Sequence, residues 1–154
     1  MNFATRIRDM VGAVERGDGR AVAQCFTPDG IYHDVFYGDF QGAGIADMIE
    51  NYFHRDASDF RWDIRDPVEQ GGVGYARYIF SYLPKDASAG SGRAIFEGVA
   101  ICRMRNGLIA DYQEIANAAT GLNDMGFAPE RLAKFIAKQG AALKSRAEAA
   151  RHIK

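Results

Sequence analysis

The chain has 154 residues, of which 47% are hydrophobic and 25% charged, a composition that fits one globular domain and excludes a disordered or fibrous protein. The net charge of −1 argues against a polyanion-binding protein, and no apolar run is long enough to span a membrane. Cys25 and Cys102 form no CxxC pair and lie in apolar segments, so we expect buried thiols in a reducing compartment. Without a secretory apolar stretch near the start, the sequence predicts a cytoplasmic protein.

The first third of the chain alternates helical and extended patterns. Apolar residues spaced by three and four predict a helix over 3–16, which Gly17 ends, and Asp18 is suited to cap a short second helix. An aromatic and β-branched run predicts a strand over 31–37. We expect a glycine-rich loop over 38–44 and a third helix that ends near His54.

The middle of the chain changes to the period of two that is typical of strands. Four long segments alternate in this way: 59–70, 73–83, 92–105 and 108–118. Gly71-Gly72 and Asn106-Gly107 are hairpin signals, and residues 83–92 have the composition of a flexible hairpin loop. A block of helices followed by hairpin-linked strands predicts an α+β fold.

The long strands carry apolar side chains at both parities, whereas a sheet with one wet face carries them at one. In the second long strand one parity holds Tyr75, Ile79 and Leu83, and the other holds Tyr78, Phe80 and Tyr82. We therefore expect the sheet to curl around the helices on one side and to meet a partner, forming a homodimer, on the other.

The end of the chain is a basic helix attached to an acidic body. Residues 128–154 hold seven Lys and Arg against two Glu, which leaves twelve basic and eighteen acidic residues elsewhere. Leu132, Phe135 and Ile136 form a narrow apolar stripe that predicts docking on the body or over a pocket mouth, and a mobile solvated helix is the alternative. No aromatic residue interleaves the charges, so we do not expect nucleic-acid binding.

Three stretches carry a family resemblance. They are Gly17-Asp18 leading to the strand Tyr32-His33-Asp34, Gly38-Asp39-Phe40-Gln41-Gly42, and 106–114 with its Gly107-Leu108-Ile109. They resemble the nuclear transport factor 2-like superfamily, which includes ketosteroid isomerases, limonene-type epoxide hydrolases, scytalone dehydratases and SnoaL-like polyketide cyclases. The resemblance implies a single SnoaL-like domain over 1–154, in which a curved antiparallel sheet forms a cone around the N-terminal helices. The core is 3–118 and a helical extension is 119–154.

The resemblance also implies two candidate carboxylates. Asp34 falls where ketosteroid isomerases keep their base, but Met10 and Ala100 replace the two groups that stabilise the oxyanion there. Glu114 falls where limonene-type epoxide hydrolases and several SnoaL-like cyclases keep a pocket aspartate. Arg77 matches only half of the hydrolases' Arg-x-Asp pair, and no histidine lies on the long strands as the dehydratases would require.

Each candidate has a functional and a structural interpretation. Burial of Asp34 or Glu114 would raise its pKa and suit acid–base chemistry, whereas the alternatives are a strand-end cap for Asp34 and an exposed or Arg-paired Glu114. We expect Tyr32 and Tyr112 to donate hydrogen bonds to substrate. His33 is a further candidate for substrate binding, although it points away from Asp34 on a regular strand. The remaining candidates for the pocket wall are the aromatic residues Trp62, Tyr78 and Phe96.

The sequence thus predicts a small-molecule enzyme or binding protein for a hydrophobic cyclic substrate. The expected chemistry is isomerisation, cyclisation, dehydration or hydrolysis, with no cofactor; the histidines have no ligand spacing, so we expect no metal. The alternative is a non-catalytic ligand-binding or dimeric assembly module of the same fold, and the sequence does not decide whether the chain is an enzyme.

Overall fold

A computed structural model of the chain describes residues 2–86 and 92–153. The helices, in chain order, are α1 (Phe3–Arg16), α2 (Gly19–Gln24), α3 (Ala43–Met48), which continues as a π-helical turn (Ile49–Phe53), α4 (His54–Asp56), α5 (Ala118–Asp124), α6 (Pro129–Ser145) and a 3₁₀ helix (Ala147–His152). No helix in these ranges is long and apolar enough to cross a membrane.

Six strands form one curved, open sheet in the order β2-β1-β6-β5-β4-β3. Their bounds are β1 (Phe26–Asp34), β2 (Gly38–Gln41), β3 (Ala57–Gln70), β4 (Val73–Pro84), β5 (Ala94–Arg105) and β6 (Leu108–Ala116). β1 and β6 pair in parallel and every other pair is antiparallel. The α+β fold predicted from the sequence is therefore confirmed.

Local signals in the sequence set several of these boundaries. Gly17 adopts a left-handed φ of 72° at the end of α1, and the Asp18 side chain accepts the Ala21 amide hydrogen bond at the start of α2. Asn106 and Gly107 have positive φ values of 54° and 75°, as a tight hairpin turn requires. The loop predicted over 83–92 lies partly outside the described residues.

Three sequence predictions need correction. The first strand begins at Phe26 and ends at Asp34, because the Pro28-Asp29-Gly30 turn is absorbed as an irregularity within β1. The segment 38–44, predicted as a loop, contains β2, which pairs with β1 from Asp34 to Ile31. The glycines and asparagine at 121, 123 and 126 predict a flexible approach to the tail helix, but this segment contains α5.

The two faces of the sheet differ in burial. One, here called the inner face, packs against α1 and the other N-terminal helices, and it buries Ala76 and Tyr78 of β4 together with Phe96 and Ala100 of β5. The opposite parity forms the outer face, which exposes large apolar side chains: Val68, Tyr75, Ile79, Leu83, Ile95, Val99 and Ile115. Hydrophobic burial against the helices therefore fixes which parity faces inward.

The C-terminal helix contacts the body through Phe135 of its apolar stripe. The Phe135 ring stacks on Phe36 at a centroid distance of 5.6 Å and packs against the buried cluster around Phe96. Ile136 and Leu143 are about half exposed. The first turns of α6 therefore lie against the domain.

Candidate active site

The inner face of the sheet, the β1–β2 turn and the α5–α6 segment enclose a cavity of about 790 Å³. Twelve of the 28 described residues that line it are aromatic, which suits a flat and mainly apolar ligand. The aromatic lining residues are Tyr32, Phe36, Tyr37, Phe53, Phe60, Trp62, Tyr78, Phe80, Tyr82, Phe96, Phe127 and Phe135.

Glu114 lies in this wall on β6, where small neighbours leave space for it. In the sheet it faces Ala100 of β5. The hydroxyls of Tyr78 and Tyr112 both donate to Glu114 Oε2, at 2.6 and 3.2 Å. Since Arg77 contacts Asp66 and Glu97 instead, the alternative of a Glu114–Arg77 pair is excluded.

The pKa of Glu114 is raised to about 7, chiefly because burial disfavours the charged form. The hydrogen bond from Tyr78 opposes this effect, and the charge of Asp34 adds to it. Burial and the nearby carboxylate also raise the pKa of Tyr78, so its phenol stays protonated and remains a donor. Near neutral pH, Glu114 therefore exists as a mixture of acid and carboxylate, which a group that both accepts and delivers protons requires.

Asp34 ends β1 at the edge of the same cavity. Its Oδ1 accepts the backbone N–H groups of Phe36 and Tyr37, both at 2.8 Å. Burial raises the pKa of Asp34 and these two amide hydrogen bonds lower it, with the net direction upward. Asp34 thus caps the β1–β2 turn and also presents a carboxyl group to the cavity.

The predicted aromatic residues occupy two layers. Tyr32, Trp62, Tyr78 and Phe96 line the cavity. Tyr112 is fully buried behind them; it stacks on Tyr32 at a centroid distance of 4.5 Å and holds Glu114. Its hydroxyl therefore positions the carboxylate.

Trp62 carries a buried indole nitrogen with no hydrogen-bond partner among the described residues. Its ring packs against Phe80 at a centroid distance of 4.7 Å and edge-on against Tyr78. A buried N–H group without an acceptor is uncommon in protein interiors, so the Trp62 indole is a donor available to a water molecule or a ligand.

His33 does not line the cavity, which corrects its prediction as a substrate contact. It projects from the outer face, where Nδ1 lies 2.7 Å from Asp39 Oδ1 and Nε2 lies 3.0 Å from Asp111 Oδ2. The alternation of side chains along β1 places it opposite Asp34. Its interaction ties β1 to both neighbouring strands.

Several wall residues were not predicted from the sequence. Tyr82 shares the parity of Tyr78, a signal that becomes usable only when the inner face is known. From α6, Phe135 belongs to the stripe that was predicted to dock on the body or over a pocket mouth, whereas Arg131 was not predicted because its position depends on how the tail docks. Tyr37 donates to Asp56 Oδ2 at 2.7 Å and links the β1–β2 turn to α4.

The part of the chain that the structure describes contains no cluster of three or more histidine, cysteine, aspartate or glutamate side chains suited to a metal ion. The cavity presents the carboxyl groups of Asp34 and Glu114 beside the phenols of Tyr32 and Tyr78, which are proton-transfer groups. Five further charged residues of the described ranges also line it: Arg55, Asp56, Lys85, Asp86 and Arg131.

A family model of the SnoaL-like domain matches residues 7–112. The chain belongs to the SnoaL-like family. The matched segment contains most of α1 and most of the sheet, including Asp34 and Tyr112, and ends two residues before Glu114. A sequence comparison with curated proteins gives no significant match.

Solved structures with the same fold agree with this assignment. A hypothetical protein with a ketosteroid isomerase-like fold from Catenulispora acidiphila, in complex with trimethylamine, has a TM-score of 0.72 at 16% identity, covering 81% of this chain and 95% of that one. An LEH-like epoxide hydrolase of M. tuberculosis gives 0.64 at 12% identity over 87% and 94%. IdmH, a putative polyketide cyclase from Streptomyces antibioticus, gives 0.63 at 17% over 80% and 98%. At these identities the comparisons show the fold, which this chain shares with cyclase and hydrolase neighbours.

Proposed function

We propose that this SnoaL-like protein is an acid–base enzyme that acts on a flat, mainly apolar cyclic substrate without a cofactor. The observation that carries the proposal is Glu114, a carboxyl group in the wall of an aromatic cavity, with a pKa raised to about 7 and two phenol donors on one oxygen. Isomerisation, cyclisation, dehydration and hydrolysis all need a group that takes a proton at one atom and returns one at another.

The hydrogen bonds to Glu114 occupy one carboxylate oxygen and leave the other available for chemistry. Oε2 accepts both phenols, and Oε1 has no partner within the described residues. As carboxylate, Glu114 removes a proton from an acidic C–H or O–H group of the substrate. As carboxylic acid, it returns that proton to the product. Tyr78 and Tyr112 fix the orientation of the group, which keeps Oε1 in place through both steps.

Asp34 is the second proposed proton carrier. Both of its short backbone hydrogen bonds go to Oδ1, so Oδ2 is the oxygen available for substrate. The charge of Asp34 raises the pKa of Glu114, so the two carboxyl groups are coupled and ionisation of one disfavours ionisation of the other. Tyr32, in the wall beside Glu114, is the proposed hydroxyl contact to substrate.

Ligand binding without turnover is the alternative function. The role of Asp34 as the cap of the β1–β2 turn favours it, because a structural reason for that carboxylate then suffices. The two functions differ in one respect that is measurable: only the enzyme needs Glu114 to change protonation.

The protein is further proposed to act as a homodimer in the cytoplasm. The exposed apolar outer face, where Ile115 is 65% and Val68 61% exposed, supports an interface between two copies. Cys25 and Cys102 are free and buried, which supports a reducing compartment.

Hydrogen–deuterium exchange at the carbons beside the carbonyl of 2-tetralone, followed by NMR, tests the acid–base function. This flat ketone loses a proton to a general base without any further chemistry. We expect wild-type protein to accelerate exchange with an apparent pKa near 7, and Glu114→Gln to lower the rate by about a hundredfold or more. Asp34→Asn should lower it less.

Glu97→Gln is the matched control, because Glu97 is exposed on the outer face and contacts Arg77. Its exchange rate should equal that of the wild type. Wild-type exchange no faster than that of Glu114→Gln would overturn the enzyme, and tight binding of the ketone in the same sample would then favour the alternative.

A further inference from the structure

The outer part of the cavity wall, where β4 ends and the α5–α6 segment passes, carries two hydrogen-bond donors that the proposed chemistry does not use. They are the hydroxyl of Tyr82 and the guanidinium of Arg131. The Tyr82 hydroxyl contacts Met125 Sδ at 3.5 Å, and a thioether is a weak acceptor. Tyr82 therefore has a donor to offer to an oxygen inside the cavity.

Two other phenols at the cavity are bound to carboxylates, since Tyr78 donates to Glu114 and Tyr37 donates to Asp56. Tyr32 is already assigned to the substrate beside Glu114. Burial raises the pKa of Tyr82, so its phenol keeps its proton at neutral pH.

Arg131 is held in place without an ion pair. Its guanidinium carbon lies 3.8 Å from the centroid of the Phe127 ring. No carboxylate among the described residues pairs with it, whereas Arg55 in the same wall binds Asp56, and Lys85 donates to a backbone carbonyl. Stacking fixes the plane of the guanidinium and leaves its N–H edge for a planar, bidentate partner, for which a carboxylate is suited.

The spacing along β4 separates this donor pair from Glu114. Tyr78, which holds Glu114, and Tyr82 are four residues apart on one face of a strand, which corresponds to about 13 Å between their backbones. Between them the wall is a run of rings, with Phe80 stacked 6.0 Å from Phe60 and 6.2 Å from Phe96. A ligand that reaches both ends must be several rings long.

We propose that Arg131 and Tyr82 bind the carboxylate of a flat, multi-ring acid whose opposite end reaches Glu114. The inference rests on the proposed function, since it gives the substrate class of the same cavity. Three of the carboxylates in the wall have partners other than Arg131: Asp34 accepts two backbone amides, Asp56 binds Arg55 and Glu114 accepts two phenols. The stacked guanidinium of Arg131 is therefore open to a carboxylate of the ligand.

The test compares two probes of the same shape, anthracene-2-carboxylate and anthracene-2-carboxamide. Trp62, the single tryptophan of the chain, lies in the cavity wall, so quenching of its fluorescence reports binding. Wild-type protein should bind the acid about five times more tightly than the amide, and added salt should reduce the difference.

Arg131→Gln should weaken binding of the acid by about three- to tenfold and leave the amide within about twofold. Lys134→Gln is the matched control: it removes the same charge from an exposed position on α6 outside the cavity wall, and both affinities should stay unchanged. Tyr82→Phe should weaken the acid by about two- to tenfold, whereas Tyr75→Phe, on the outer face of the same strand, should not. Melting curves confirm that each variant is folded.

The outcomes separate the two proposals. If the acid and the amide bind equally to the wild type, or Arg131→Gln leaves the acid unchanged, the carboxylate anchor is overturned while the apolar cavity stands. If neither probe binds, both the substrate class and the proposed ligand cavity fail.

Discussion

The inner and outer faces of β4, β5 and β6 are formed by alternate residues of the same strands, and they differ in one essential respect. On the inner face, polar atoms converge: Tyr78, Tyr112 and Glu114 meet within hydrogen-bonding distance. On the outer face, apolar side chains such as Ile79 and Ile115 are exposed beside scattered ion pairs. This difference supports the proposals made above, a small-molecule site on the inner face and an interface between two copies on the outer face.

Solvent explains why the same residue types behave differently on the two faces. Inside, removal of water raises the pKa of Glu114 to about 7 and makes each hydrogen bond to it effective. Outside, Arg77 lies near Asp66 and Glu97 while remaining about half exposed, and such pairs contribute little to stability. Substitutions on the inner face should change proton affinity and packing, and those on the outer face should change assembly.

The largest expected effect is on the outer face. Ile115→Glu places a charge at the centre of the proposed interface, where its desolvation opposes association by several kcal/mol. Light scattering at micromolar concentration should give twice the chain mass of 17.0 kDa for the wild type and the single mass for the variant. Ile136→Glu, at a position of α6 that is 53% exposed, is the control and should remain a dimer. A wild-type mass near that of one chain would contradict the assignment of the outer face.

The next effect concerns the packing of the inner face. Gly98 lies opposite Tyr78 in the β4–β5 pair, and a Cβ atom added there would come within 2.5 Å of the Tyr78 hydroxyl. Gly98→Ala should therefore displace Tyr78 from Glu114 and cost about 1–3 kcal/mol in the free energy of unfolding, measured by urea denaturation.

Gly140→Ala is the control for this substitution. Gly140 lies in α6 with nothing within 4 Å of an added Cβ, so alanine should stabilise the helix by up to about 1 kcal/mol. A Gly98→Ala variant with no loss in the free energy of unfolding would contradict the close packing of Tyr78 against Gly98.

The sequence predicted the sheet well because its signals are local. Alternation over ten or more residues, punctuated by Gly71-Gly72 and Asn106-Gly107, determines strands and hairpins without knowledge of their neighbours. β2 was missed because a four-residue strand between glycines has no period of its own. α5 was missed because Gly121 is a poor helix former; it packs against Phe96 closely enough that no side chain fits.

The site was predictable only in part. The resemblance led to Glu114 and Asp34 as candidates, and the structure places both in one cavity wall. Tyr82 and Arg131 escaped prediction for a different reason: their role depends on which face curls inward and on where α6 docks. Both are consequences of tertiary packing between segments distant in the chain, and a single sequence does not encode them in any local pattern.

The next effect is smaller and concerns how the stability of the protein depends on pH through Glu114 of the inner face. Because the folded pKa of Glu114 is about 7 against an ordinary value of 4.5, its contribution to stability is complete below pH 4.5 and is lost as the pH rises through 7. Glu114→Gln cannot ionise, so its free energy of unfolding relative to that of the wild type should increase by on the order of 1–2 kcal/mol between pH 5 and 8.5. This is less than the full pKa shift implies, because the side chain is partly exposed. Thermal melts over this range measure the gain, with Glu97→Gln as the outer-face control. A difference that does not change with pH would contradict the raised pKa.

The smallest expected effect is the pH dependence of stability that comes from His33 on the outer face. Partial burial lowers the pKa of this histidine, but the hydrogen bonds to Asp39 and Asp111 outweigh it and hold the pKa above its ordinary value of 6.5. Only the imidazolium donates from both ring nitrogens, so the stabilisation is complete below pH 6.5 and is lost as the pH rises through the folded pKa. His33→Gln should therefore lower the melting temperature more at pH 5.5 than at pH 8.5. The corresponding difference in the free energy of unfolding should be less than about 1 kcal/mol, because all three groups are partly solvated. His152→Gln, in the exposed 3₁₀ helix, provides the baseline. Glu114→Gln removes a loss of stability that appears at high pH, whereas His33→Gln removes a stabilising interaction that is present at low pH. If His33→Gln lowered stability equally at both pH values, the two carboxylates would not bind a charged imidazole ring.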